Sequence, residues 1–205
     1  MIDWLIFIPA CFALNLAFGP NNLLAMTNGA RSGVAFAQRA AVGRLICFAP
    51  MIAASAFGLG LLLTTSAMIF TAVKMIGALH LIWIGINLVR SVRGLTLDSL
   101  GKVAPSPAQA FRNEALVALS NPKAILIFAA FFPQFVDINT YWQSYAKLGA
   151  SFIGLEVVAI FLYASAGKFA AGYAADKLPL MQKLSGWTMC LFGVLLLVSP
   201  HPSGK

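Results

Sequence analysis

From Leu45 to Val73 no side chain carries a charge. In a bilayer, a stretch of this kind has no water to satisfy its backbone, so only helices or a closed barrel can hold it. A helix crosses the hydrocarbon in about 20 residues. The run is too long for one crossing and has to turn, and Thr64-Thr65-Ser66 is the natural place. Charged residues make up 10% of the 205-residue chain, against about 25% in soluble domains. That is too few to cover a water-facing surface.

The expected fold is an all-α integral membrane protein with six transmembrane helices. The spans fall at about 4–26, 39–63, 71–89, 112–135, 148–171 and 184–199, in one domain over 1–205. A polar linker at about 93–109 separates a first half, 1–92, from a second, 110–200. The N-terminus has Asp3 where a signal peptide wants cations, so the first span is expected to stay on the chain. Arg31, Arg39 and Arg44 follow span one, Arg90, Arg93 and Lys102 follow span three, and Lys168, Lys177 and Lys183 follow span five. This bias puts those loops in the cytoplasm and both termini outside. The net charge of +8 comes from cations scattered between apolar runs, which is no footprint for nucleic acid. Cys11, Cys47 and Cys190 all lie within apolar runs, and they read as packing residues, not as a metal or disulfide set. No nucleophile–base set, metal-ligand cluster or phosphate loop stands out, so neither enzyme chemistry, metal nor cofactor is expected.

Two prolines interrupt spans at corresponding places: Phe18-Gly19-Pro20-Asn21-Asn22 in span one and Ser120-Asn121-Pro122-Lys123 in span four. Proline removes a backbone N–H, and Pro122 is expected to orphan the carbonyl of Ala118. Broken helices in both halves of a membrane protein point to a transport site. The halves also share Lys74-x-x-Gly77 and Lys183-x-x-Gly186 at the start of spans three and six. Three spans per half make the two halves an inverted repeat, with helices 1 and 4 interrupted by proline.

Lys123 lies eleven residues past Arg112, about 16 Å along a helix, and Glu156 nine past Lys147, about 14 Å. Both therefore fall near the middle of a core about 30 Å thick, as partners or in one wet cavity. The alternative for Lys123 is bonding to broken-helix carbonyls alone. Asn15, Gly19 and Asn22 share a helix face at i, i+4, i+7, where amides could bind a zwitterion or glue helices. Asn15, Gly19, Pro20, Asn21, Asn22, Asn121, Pro122 and Lys123 are thus the expected substrate residues, with Glu156 for proton coupling. His80 reads as a packing residue.

Gly19-Pro20-Asn21, Asn121-Pro122-Lys123-Ala124, Phe132-Pro133-Gln134-Phe135-Val136 and Lys74-x-x-Gly77-Ala78-x-x-Leu81-x-x-x-Gly85 together resemble the LysE/RhtB family of bacterial amino-acid exporters. The resemblance implies a multi-pass protein of the inner membrane. It would export an amino acid or related small metabolite in exchange for protons, and a homo-oligomer is compatible with it. In span two the family pattern ends in Gly-Asp, whereas Gly43-Arg44 stands here, which leaves coupling to Glu156. A cation or metal exporter of related architecture is the alternative, disfavoured by the shortage of carboxylates within spans. A non-transporting membrane subunit is a second alternative.

Overall fold

The computed structural model of the chain describes residues 2–65, 67–90, 105–169 and 171–198. Among the described residues the fold is helical, without strands. Helix α1 (Trp4–Leu16) is followed by α2 (Pro20–Ser32), with a 63° bend at the break. Two long helices follow, α3 (Val34–Thr65) and α4 (Ala67–Arg90). The second break separates α5 (Pro107–Ser120) from α6 (Pro122–Leu126). Here α6 continues as a π-helical turn at Ile127–Phe131 and a 3-10 turn at Phe132–Phe135, with a 58° bend overall. Helix α7 (Tyr141–Phe169) and helix α8 (Ala171–Val198) complete the described residues.

Both breaks have the same local cause. Pro20 and Pro122 open α2 and α6, where the missing N–H costs nothing and the fixed φ suits a first helical residue. The residue before a proline is pushed out of the helical region. Gly19 accordingly sits at φ −170°, ψ 175°, and Asn121 at φ −79°, ψ 105°. The carbonyl of Ala118 is not orphaned as expected, because the N–H of Asn121 donates to it at 3.2 Å.

The stretches Val34–Gly58 and Ile138–Phe169 are long and apolar enough to cross a membrane, and each bent pair qualifies when its halves are taken together. Met75–Asn87 and Gly186–Leu195 are shorter apolar stretches of α4 and α8. The expected turn at 64–66 coincides with the end of α3, and Ser66 itself lies outside the described residues, as does most of the 93–109 linker. Helices α3, α7 and α8 begin several residues before the expected spans, because a helix continues past the apolar stretch that hydropathy detects.

The burial pattern inverts that of a soluble protein. Leu5 is 89% exposed, and Trp83, Phe57 and Phe169 also face outward, while Arg44 and Glu114 are fully buried. Apolar surface facing out and ions facing in is the arrangement a hydrocarbon solvent selects. One aromatic core joins Phe7, Phe48, Phe128, Phe132 and Phe152, with Phe128 and Phe152 edge to face at 4.9 Å. The closest helix pairs meet through glycine. Gly167 of α7 lies against the backbone of Met26 on α2, and Gly85 of α4 against that of Gly186 on α8.

Candidate functional site

A helix end leaves its last four carbonyls without intrahelical donors. At the end of α1 the N–H of Ala17 reaches Leu14 O at 3.2 Å, and side chains from beyond the helix donate to each carbonyl from Leu14 to Ala17. Lys123 Nζ donates to the carbonyls of Leu14 (3.2 Å) and Ala17 (2.8 Å). Asn22 Nδ2 donates to Asn15 O (2.7 Å) and Ala17 O (3.0 Å), and the Tyr163 hydroxyl donates to Leu16 O (2.6 Å). A cation at this position also faces the negative end of the helix dipole.

The two breaks touch. Asn121 caps α6 by accepting from the N–H of Lys123 at 3.0 Å, and its Nδ2 donates to Asn21 Oδ1 at 2.7 Å. Asn21 and Asn121 therefore tie the two interrupted helices together. Asn15 on α1 donates to the carbonyl of Phe152 on α7 at 3.2 Å.

Beside the breaks lies an ionic cluster centred on Arg44 of α3. Its Nε and Nη2 donate to Glu114 Oε2 at 2.9 and 2.8 Å, and its Nη1 to Glu156 Oε1 at 2.7 Å. The carbonyl of Asn21 (2.6 Å) and Asn22 Oδ1 (3.3 Å) accept from Nη2 and Nη1. A guanidinium has five N–H donors, and here each has an acceptor. Asn28 Nδ2 makes a longer contact, 3.5 Å, with Glu114 Oε1.

A small cavity sits between the cluster, the breaks and the aromatic core. Its polar wall is Asn15, Asn21, Asn22, Asn121, Lys123 and Glu156, and its apolar wall includes Phe48, Ile127 and Phe152. About 10 Å³ is open to the centre of a water molecule, room for roughly one water and for no amino acid. Asn15 Oδ1 and Asn21 Nδ2 are buried without hydrogen-bond partners, an acceptor and a donor left unused beside this space.

The residues singled out in the sequence take several different places. Lys123 and Glu156 share the cavity but are not ion-paired: Glu156 pairs with Arg44, and Lys123 takes the broken-helix carbonyls. Glu114 is a second buried carboxylate, on the other side of Arg44 from Glu156. Arg44, read as a charge near the cytoplasmic edge, has no exposed surface. The face of Asn15, Gly19 and Asn22 does not exist as one helical stripe, because α1 ends at Leu16; the break itself brings Asn22 to Asn15. Gly19 packs near Lys123, where a Cβ would sit 3.7 Å from Nζ. Pro20 is exposed and does not line the cavity, and its part is to shape the backbone. His80 lies beside Trp83 with the two rings tilted at 58°, and it does not line the cavity. Among the described residues no group of three or more histidine, cysteine or acidic side chains could hold a metal ion.

Residues 12–200 match the sequence model of the LysE type translocators. An uncharacterized membrane protein of Vibrio cholerae is 30% identical over 196 residues, covering 94% of this chain and 95% of the relative. A leucine efflux protein of Enterobacter is 29% identical, covering 95% and 92% respectively. A homoserine/homoserine lactone efflux protein of Salmonella typhimurium is 29% identical, covering 97% of each. No solved structure matches the chain.

Proposed function

Because the chain belongs to the LysE type translocator family, we propose that it is a secondary transporter exporting amino acids or related small metabolites across the bacterial inner membrane in exchange for protons. The observation that carries this reading is the buried polar cavity where the two broken helices meet, joined by the Asn21–Asn121 bond. Interrupted helices offer backbone groups to a polar ligand at membrane depth, and the unused Asn15 Oδ1 and Asn21 Nδ2 suit an ammonium and a carboxylate. Phe48, Ile127 and Phe152 offer an apolar wall for an aliphatic side chain. The efflux relatives, named for leucine and for homoserine, support small uncharged side chains. Titratable Glu156 and Lys123 line the cavity and are the candidates for the proton.

The export test uses cells lacking other amino-acid exporters and fed dipeptides to raise internal amino acids. Expression of the chain is expected to speed the appearance of leucine or homoserine in the medium. Unchanged efflux across a panel of all the common amino acids would remove the reading.

We further propose six crossings as two inverted repeats, α1–α4 and α5–α8. Support comes from the paired breaks and from the antiparallel contact of α4 with α8, in which Gly85 meets Gly186 and Gly193 meets Ala78. A periplasm-active reporter fused after Lys205 is expected to be active, and one inserted near Lys102 inactive. The reverse pattern would defeat the orientation.

A further inference from the structure

We propose that Lys123, not Glu156, carries the exchanged proton, and that its ammonium and the substrate's compete for the carbonyls at the broken end of α1. This rests on the export reading and adds which group couples.

The argument begins with partners. Among the described residues no carboxylate stands within ion-pair distance of Lys123 Nζ. The ammonium is held by the carbonyls of Leu14 and Ala17, so its discharge breaks no salt bridge. Glu156 is bound to Arg44, which also holds Glu114, and a guanidinium does not give up its proton in proteins. Protonating Glu156 would strip a fully buried cation of one of its two anions. The other groups around Lys123 are Asn15 on α1 and Asn21 and Asn22 on α2, all neutral, Glu156 and Tyr163 on α7, Arg44 on α3 and Glu114 on α5. Among the described residues, Lys123 is the one titratable side chain that both lines the cavity and lacks an ion-pair partner.

The carbonyls then explain exchange. The end of α1 presents two acceptors and the negative pole of a helix to whatever cation lies there. With Lys123 charged, its own Nζ fills the place. When Lys123 releases its proton to the cytoplasmic side, the neutral amine no longer satisfies that pole, and a substrate ammonium can take the carbonyls. After the substrate leaves to the outside, Lys123 accepts a proton from that side and returns to Leu14 O and Ala17 O. One proton enters for each amino acid exported, and no step breaks the Arg44 cluster.

The test uses the full-length protein in lipid vesicles, membrane potential clamped, with radiolabelled leucine and homoserine as probes. A lumen about one pH unit more acid than the outside can drive roughly tenfold accumulation through one-for-one exchange. Wild-type protein is expected to accumulate probe in response to the gradient, and Glu156→Gln protein that inserts is expected to keep that response to the gradient at a lowered rate, since the variant loses the pair with Arg44 and alters the cavity wall. Lys123→Gln is expected to retain some counterflow at equal pH but to show no response to the gradient. Lys123→Arg, a cation that cannot discharge, is expected to block counterflow itself. Gradient-driven accumulation by Lys123→Gln would overturn the proposal. So would a Glu156→Gln protein that exchanges probe at equal pH yet ignores the gradient, and this arm decides the matter if Lys123→Gln does not insert. Wild-type vesicles without counterflow of any common amino acid would sink the export reading and this inference with it.

Discussion

Arg44→Met is expected to abolish folded protein in the membrane. The substitution removes all five donors at once and leaves Glu114 and Glu156 buried together without a cation. Breaking a buried ion pair by deleting one partner costs about 3–5 kcal/mol, a large share of the roughly 5–15 kcal/mol that holds a typical domain together. Arg44→Lys is expected to be damaging too, since one ammonium with three donors cannot span both carboxylates and the Asn21 carbonyl in place of the planar fork. The triple variant Arg44→Met, Glu114→Gln, Glu156→Gln is expected to regain much of the lost level, because replacing a whole buried ionic set by neutral groups is often close to neutral in stability. Thermal unfolding of the detergent-purified proteins and their membrane levels check this. A single Arg44→Met variant that unfolds at the wild-type temperature would show that the cluster contributes nothing to the fold.

The second large effect is expected at Gly167. A Cβ there would lie 1.9 Å from the carbonyl oxygen of Met26 and 3.1 Å from the N–H nitrogen of Ala30. Both obstructions are backbone, so no rotamer change relieves them and α2 must move away from α7. Gly29 makes the reciprocal approach, its Cβ position being 2.2 Å from Ala164 O. Overpacking a tight contact costs about 1–3 kcal/mol, and a clash with main chain belongs at the upper end. The displacement would also shift Asn21 and Asn22 of α2 relative to Glu156 of α7, with which they share the cavity wall. Gly167→Ala is therefore expected to lower the unfolding temperature and transport together. Gly154 on the same helix has nothing within 4 Å of its Cβ position, and Gly154→Ala serves as the comparison, with wild-type behaviour in both assays. Equal behaviour of the two variants would refute the close-contact account.

The breaks were legible because proline and its preceding residue act locally: Pro20 and Pro122 open helices in the structure where the sequence places them. The pairing of charges was not, for a geometric reason. Counting residues from a loop measures depth along a helix but says nothing of azimuth. Lys123 and Glu156 stand at one depth and on one cavity, yet Glu156 turns to α3 and Lys123 to α1. Arg44 was hidden by its neighbours. Arg31 and Arg39 precede it, so it reads as a third loop cation, although α3 begins at Val34 and carries it about 15 Å inward at 1.5 Å per residue. The usable signal was Glu114, a carboxylate in the facing helix that no interface cation explains.

The carbonyls at the end of α1 are already occupied by Lys123, Asn22 and Tyr163, and the adjoining cavity has room for about one water. A bilayer that stores a voltage is discharged by any protein threaded with a continuous file of water. This chain solvates its own opened helix with its own side chains, and among the described residues these fill the level of the breaks. Self-capping of this kind is the arrangement that insulates an energised membrane from a broken helix within it.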